Sequence, residues 1–317
     1  MNSSTSSSDL RSFSVRVAIY GVLLLSGLVV ACVFLPSVRV RTTMLGAQIS
    51  KLKALDALSG ERVVIVGGSG CGQGLVTSNI CEALNRPVYN MGLHAGLGLI
   101  YQMSAVEPLL RKGDVVLIVP EYANFDGSSC FGDTELLMMV MDIIPEHKKL
   151  ISPRQWLHLL PLMPKYGADK LRVMFDMSTK PNTVERYDSY GDGIYPAGLA
   201  SDARLPFPTA SQMDASEYSD VVVGYIDSFA KTLKDREIAV YLIPPALQKS
   251  SYERIKGFIE KVDVEMLKAG YPFIASPERY ALDDAYFYDT AYHLNLEGRR
   301  YRTDLLVEDL QRIKFTE

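Results

Sequence analysis

"VVIVGGSGCGQG", residues 63–74, decides how this chain is read. Four β-branched apolar residues run without a polar break, the pattern of a parallel strand covered on both faces. Five glycines then surround a single serine, so the chain turns tightly as it leaves the strand. A turn of this kind either cradles a phosphate or presents a nucleophile. The dinucleotide fingerprint requires Gly-x-Gly-x-x-Gly, yet counting from Gly68, Gly70 or Gly72 places Gln73, Leu75 or Thr77 where the third glycine belongs. A P-loop requires Gly-Lys-Ser/Thr, and no lysine lies between Lys53 and Lys112. No nucleotide is therefore expected, and Ser69 stands as the reactive candidate.

Similar apolar runs recur at Pro87 to Met91, Asp114 to Val119, Ile238 to Ile243 and Tyr271 to Ala275. Helical patterns lie between and after them, near Gly74 to Leu84, Gly98 to Arg111, Ser216 to Lys234, Tyr252 to Ala269 and Leu296 to Ile313. Alternation of this kind predicts an α/β fold with a doubly wound parallel sheet. Ligands of such sheets bind beyond the carboxyl ends of the strands, where the Ser69 turn falls. The interval from about 126 to 215 breaks the rhythm with apolar helical pieces and a turn-rich stretch, and reads as an insertion shaping a substrate site.

The bulk composition is that of a globular protein: 317 residues, 48% hydrophobic and 22% charged, with net charge −4. A pI near 5.7 disfavours a generally basic surface, so no nucleic acid is expected. Residues 1–16 are polar and Ser-rich, and 17–38 carry no charge over a length that spans a bilayer. The chain accordingly divides into a polar tail on the cytoplasmic side (1–16), a transmembrane anchor (17–38), a connector (39–60) and one domain (61–317). An alternative for the anchor is a lipobox-like site ending at Cys32. Three cysteines remain outside the span, too few and too scattered for a disulfide framework or a metal pair, and neither metal nor cofactor is expected.

A nucleophilic serine needs a base and a group that orients it. Of four histidines, His147 and His158 lie in the helical insertion and read as packing or solvated residues. His94 follows the second strand and reads as a structural or substrate contact. His293, in "YFYDTAYHLNLEGRRY", precedes the last helix on the loop that returns to the Ser69 edge of the sheet. Trp156, the only tryptophan, reads as an amphipathic-helix residue, and "DSYGDG" at 188–193 as a turn rather than a calcium loop.

With these pieces in order, the chain resembles the SGNH/GDSL hydrolase superfamily. Its membrane-attached branch includes the D-alanyl transfer protein of teichoic acids and accessory proteins of alginate and exopolysaccharide O-acetylation. The resemblance covers about 62 to 310. It rests on Gly67-Gly68-Ser69, Asn90-Met91-Gly92, Val119-Pro120-Glu121-Tyr122, and Asp289 with His293-Leu294-Asn295. It implies a flavodoxin-like three-layer α/β/α fold, a Ser69-His293-Asp289 triad, and an oxyanion hole formed by Ser69, Gly92 and Tyr122. Glu121, His94 and Asn295 become candidate substrate contacts. It further implies acyl transfer, chiefly O-acetyl, to an exported polysaccharide on the extracytoplasmic side, fed by a polytopic membrane-bound O-acyltransferase. The alternative is a non-catalytic accessory module that binds glycan or the acyltransferase.

The departures are explicit. Gly-Asp-Ser is replaced by Gly-Gly-Ser, and the third block lacks the asparagine that usually helps bind the oxyanion. The usual Asp-x-x-His places Thr290 at the acid position, so Asp289, four residues before the base, takes the role, with Asp283 and Asp284 in reserve.

Overall fold

The computed structural model describes residues 7–35, 44–132, 135–175, 187–194 and 213–313. The last residues assigned to the anchor and the turn-rich stretch 195–212 lie outside them. In chain order the elements are α1 (Ser7–Phe34), α2 (Ala47–Ala57), β1 (Val63–Gly67), α3 (Ser69–Gly72), α4 (Thr77–Leu84) and β2 (Val88–Asn90). Then come α5 (Leu99–Val106), β3 (Val115–Val119), α6 (Glu135–Ile143), α7 (Pro153–Leu159), α8 (Met163–Phe175) and α9 (Val221–Lys234). The chain continues through β4 (Ala239–Leu242), β5 (Leu247–Gln248), α10 (Lys249–Arg254), α11 (Lys256–Lys268), β6 (Ala281–Leu282) and α12 (Leu296–Arg312).

The main sheet is parallel in the order β2-β1-β3-β4, with Val63 opposite both Val88 and Val115, and Val115 opposite Ala239. The order reverses between β1 and β3, which makes the carboxyl end of β1 the switch point where doubly wound sheets bind ligands. Side chains alternate across the sheet. Val64, Val66, Val116 and Ile118 pack under α5, α9 and α11, while Val63, Ile65, Val115 and Leu117 pack against Ile80 of α4 and Leu306 and Leu310 of α12. Burial on both faces explains why the strands read as unbroken apolar runs. The expected fifth strand shrinks to a single bridge between Phe273 and Leu242. Pro272 supplies no N–H to a ladder, and the chain then enters a turn capped by Ser276. A separate pair, β5 and β6, lies beside α10.

Helix α1 is apolar over Leu10–Phe34, with mean hydropathy 2.6, and is long enough to cross a bilayer. Helix α8 packs against it. A Cβ at Gly167 would collide with the carbonyl oxygen of Leu28, so glycine permits the close approach. Lys170 Nζ donates to the carbonyls of Cys32 (2.5 Å) and Leu35 (2.9 Å) and pairs with Asp142. The helical segments expected in the insertion are therefore real and are attached to the apolar helix.

Two buried cations tie α2 to the sheet. Arg62, at the start of β1, pairs with Asp114 at 2.5 Å with both side chains fully buried, and donates to the carbonyls of Leu55 and Leu109. Lys51 is 1% exposed. Its Nζ donates to the carbonyls of Asn90 (3.0 Å), Gly92 (2.6 Å) and Gly191 (2.7 Å), and lies over the Tyr187 ring. An ammonium has three donors, and three carbonyls use them. Burial nonetheless pulls its pKa down to about 7. Replacing Lys51 with methionine leaves those carbonyls dry, at about 1–3 kcal/mol for each unsatisfied group, partly offset by no longer burying a charge. The expected result for Lys51→Met is a Tm lower by about 4–8 °C in thermal unfolding of the full chain in detergent. An unchanged Tm would contradict this role.

Candidate active site

Ser69 begins α3 where β1 ends, and its neighbours explain the glycines around it. A Cβ on Gly68 would lie 2.5 Å from Glu121 Oε1 and 3.0 Å from Ala95 Cα. On Gly70 it would meet Tyr292 Cβ at 3.3 Å and Glu121 Oε1 at 3.4 Å. On Gly72 it would meet the Gly92 carbonyl oxygen at 2.6 Å. The loops after β2 and β3 and the loop before α12 thus converge on one turn. Below it, Arg302 is fully buried and donates from Nη1 to the Gly70 carbonyl at 2.8 Å. Its Nε and Nη2 find no partner among the described residues.

His293 and Asp289 occupy the tip of a narrow loop. Phe287 bridges Leu294, the Tyr288 N–H donates to the His293 carbonyl, and Thr290 Oγ1 accepts the N–H groups of Tyr292 and His293. This bend brings Asp289 Oδ1 to 2.8 Å from His293 Nδ1. Thr290, at the usual acid position, holds the turn instead. The imidazole is 17% exposed and stacks on Tyr288, while Asp289 is 42% exposed. His293 lies close enough to Glu121 and His94 to influence the ionisation of both. No hydrogen bond joins Ser69 Oγ to His293 among the described residues. Catalytic bonds of this type commonly tighten only when substrate is bound.

His94 Nδ1 accepts the Gly96 N–H at 3.0 Å, which assigns the proton of the neutral ring to Nε2. Burial and the nearby His293 lower its pKa, favouring that neutral form. Glu121 is partly buried, and its Oε1 accepts the Gly70 N–H at 3.4 Å. Desolvation raises its pKa, opposed by His293, the Gly70 N–H and Arg302.

Three expected roles need correction. The Gly92 N–H is spent on Asn90 Oδ1 at 2.9 Å and its carbonyl on Lys51, so this residue leaves no backbone donor for an oxyanion at Ser69. Tyr122 is 1% exposed because the 3-10 turn at Tyr122–Phe125 aims it into the main core, where its hydroxyl finds no partner among the described residues. Asn295 is buried and caps α12, accepting from the Gly298 N–H and donating to the Ala285 carbonyl. Asp283 and Asp284 likewise serve backbone N–H groups, those of Ala285 and Ser250. His147 bonds Tyr101 and His158 stacks on Phe131, both packing roles. The 188–193 segment is a turn whose Asp192 holds Thr77 and Asn90.

Sequence reading missed Lys51, Arg302 and Tyr292 as parts of the site's frame. Lys51 sits in an amphipathic connector and Arg302 in a charged helix, where either reads as a solvated cation. Among the described residues no three His, Cys, Asp or Glu side chains gather as metal ligands. Compared with protein-family models and with curated proteins, the sequence matches none.

The Glu121 environment has a pH signature. A carboxyl whose folded pKa is raised binds more protons folded than unfolded, so its contribution to stability falls as pH rises from the ordinary 4.5 through the folded value. Glu121→Gln removes that loss. The stability difference between variant and wild type should be flat below about pH 4, grow in the variant's favour above it and then level off. Denaturation followed across pH checks this, and a difference that shrinks with rising pH would contradict it.

Proposed function

We propose that this protein is a membrane-attached, serine-dependent acyl transferase or esterase of SGNH type, acting through Ser69, His293 and Asp289. The observation that carries the reading is the 2.8 Å Asp289–His293 pair on a loop that packs against the glycine-flanked Ser69 turn at the switch point of the sheet. In the reaction, His293 Nε2 takes the Ser69 proton while Oγ attacks the donor's acyl carbonyl. The tetrahedral oxyanion collapses, the leaving group takes the proton from His293, and an acyl-Ser69 ester remains. A sugar hydroxyl or water then gives its proton to His293 and attacks the ester, and Ser69 regains its proton as the product leaves. Asp289 holds Nδ1–H in place throughout.

With Gly92 and Tyr122 withdrawn, the oxyanion falls to the Ser69 N–H at the start of α3. The acceptor in this reading is an exported polysaccharide on the extracytoplasmic side of the membrane. The acyl group, chiefly acetyl, is supplied by a polytopic membrane-bound O-acyltransferase, because the one apolar span among the described residues offers no path for it across the bilayer.

A second reading, a non-catalytic accessory module binding glycan or the acyltransferase, draws on the Gly92 N–H already being occupied. Covalent labelling separates the two. A fluorophosphonate should add once to the full chain, at Ser69, and Ser69→Ala should abolish the adduct. His293→Ala should slow labelling by about 10²–10⁴-fold, and Asp289→Asn should slow it by up to about 10⁴-fold. Intact mass and peptide mapping read the result. A wild type that stays unlabelled, or labelling indifferent to His293, favours the accessory module.

A further inference from the structure

Among the described residues outside α1, four of the ten exposed large apolar side chains lie on α7, α8 and the turn between them. Leu157 is 68% exposed, Leu160 51%, Met174 48% and Phe175 76%. Isolated exposed apolar residues require no explanation, whereas a group on adjacent helices does. The inner side of the same helices is apolar and covered: Leu159 and Tyr166 are buried, and Trp156 packs with them in a cluster that includes Cys32 of α1. α7, the turn after it and the end of α8 therefore carry exposed apolar side chains in addition to the apolar side that the fold covers. Exposed Arg154, Lys165 and Arg172 lie among the open apolar residues.

What covers these residues follows from the packing of α8 on α1. Gly167 lets α8 lie directly against the Leu28 carbonyl, and Lys170 fastens it to the carbonyls of Cys32 and Leu35 at the end of the apolar helix. If α1 crosses a bilayer, α8 leaves the protein surface at the depth where hydrocarbon meets headgroups. At that depth, apolar side chains with lysine and arginine beside them are the composition of an interfacial helix. We propose that α7 and α8 lie in the headgroup–acyl boundary of the membrane that α1 spans, with Leu157, Leu160, Met174 and Phe175 inserted among lipid. The occupant is the lipid surface itself. One consequence concerns the candidate site: Leu93 and Leu97, on either side of His94, belong to the same cluster as Cys32. The Ser69 cleft is thereby built on the layer that rests on the bilayer. This inference rests on reading α1 as a membrane span, and not on the chemistry proposed for Ser69.

The single tryptophan makes the test direct. In a Trp156→Phe background, Leu157→Trp or Phe175→Trp places the only indole at one of these exposed positions, and Tyr301→Trp, on α12, serves as the control. Each full chain is reconstituted into phosphatidylcholine–phosphatidylglycerol vesicles with or without brominated acyl chains. Alkaline-carbonate washing reports separately whether α1 holds the chain in the membrane, and circular dichroism reports the fold. The expected result is at least a twofold loss of emission from the Leu157→Trp and Phe175→Trp indoles in brominated vesicles, with little quenching by aqueous iodide. The Tyr301→Trp indole should behave oppositely. Indoles at the α7–α8 positions that iodide reaches and bromolipid does not would overturn the proposal while leaving the span intact. Indoles shielded from both quenchers would overturn it in favour of a protein partner or a second copy. Chains extracted by carbonate would overturn the span and this proposal together, without touching the Ser69 reading, which fluorophosphonate labelling tests in detergent.

Discussion

The candidate site depends on the close approach of three loops to the backbone at Gly68, Ser69 and Gly70. Glu121 Oε1 occupies the space where a Gly68 side chain would begin, and Tyr292 stands against Gly70. Bare backbone on both sides of the serine is what admits the β3 loop and the loop of His293 together. Arg302 locks the turn from below through the Gly70 carbonyl. The glycine pattern that resembles a phosphate cradle is therefore a packing requirement around one hydroxyl.

The second organising feature is the use of buried cations as fasteners for backbone carbonyls. Lys51 gathers three carbonyls from the end of β2, the loop after it and the 188–193 turn, Arg62 joins α2 to the β1–β3 edge, and Lys170 joins α8 to α1. Lys51 is satisfied by three main-chain oxygens, whereas Arg62 and Lys170 share their donors between carbonyls and the carboxylates of Asp114 and Asp142; each fixes the path of the chain. Removing such a cation strands several acceptors at once, which costs more than the loss of an exposed ion pair. Through Lys51, α2 is coupled to the loop that carries His94.

Much of this was legible in the sequence. The strands were, because burial on both sheet faces forces unbroken Val/Ile runs, and so was the contact of Asp289 with His293, because few histidines compete. The fifth strand was over-read, since the apolar run at 271–275 carries a proline that stops the ladder. Gly92 and Tyr122 were assigned by position in a block, but hydrogen-bond partners three-dimensionally close decide what a backbone N–H or a hydroxyl is free to do. Lys51 and Arg302 were hidden because a cation's burial depends on distant carbonyls, and periodicity says nothing about those. The exposure of Leu157, Leu160, Met174 and Phe175 was equally invisible: apolar residues on α7 and α8 read alike in sequence, and only the packing of these helices separates the covered ones from the exposed ones.

The central claim is that Ser69 carries the acyl group through a covalent intermediate. The most direct measurement mixes the full chain with an activated acetyl ester, quenches with acid at short times, and follows intact mass with peptide mapping. The account predicts one acetyl group on Ser69, accumulating in the wild type, absent in Ser69→Ala, and discharged faster when a soluble sugar acceptor is added. No acetylated protein at any time, or an acetyl group mapped to another residue and unaffected by Ser69→Ala, would contradict it.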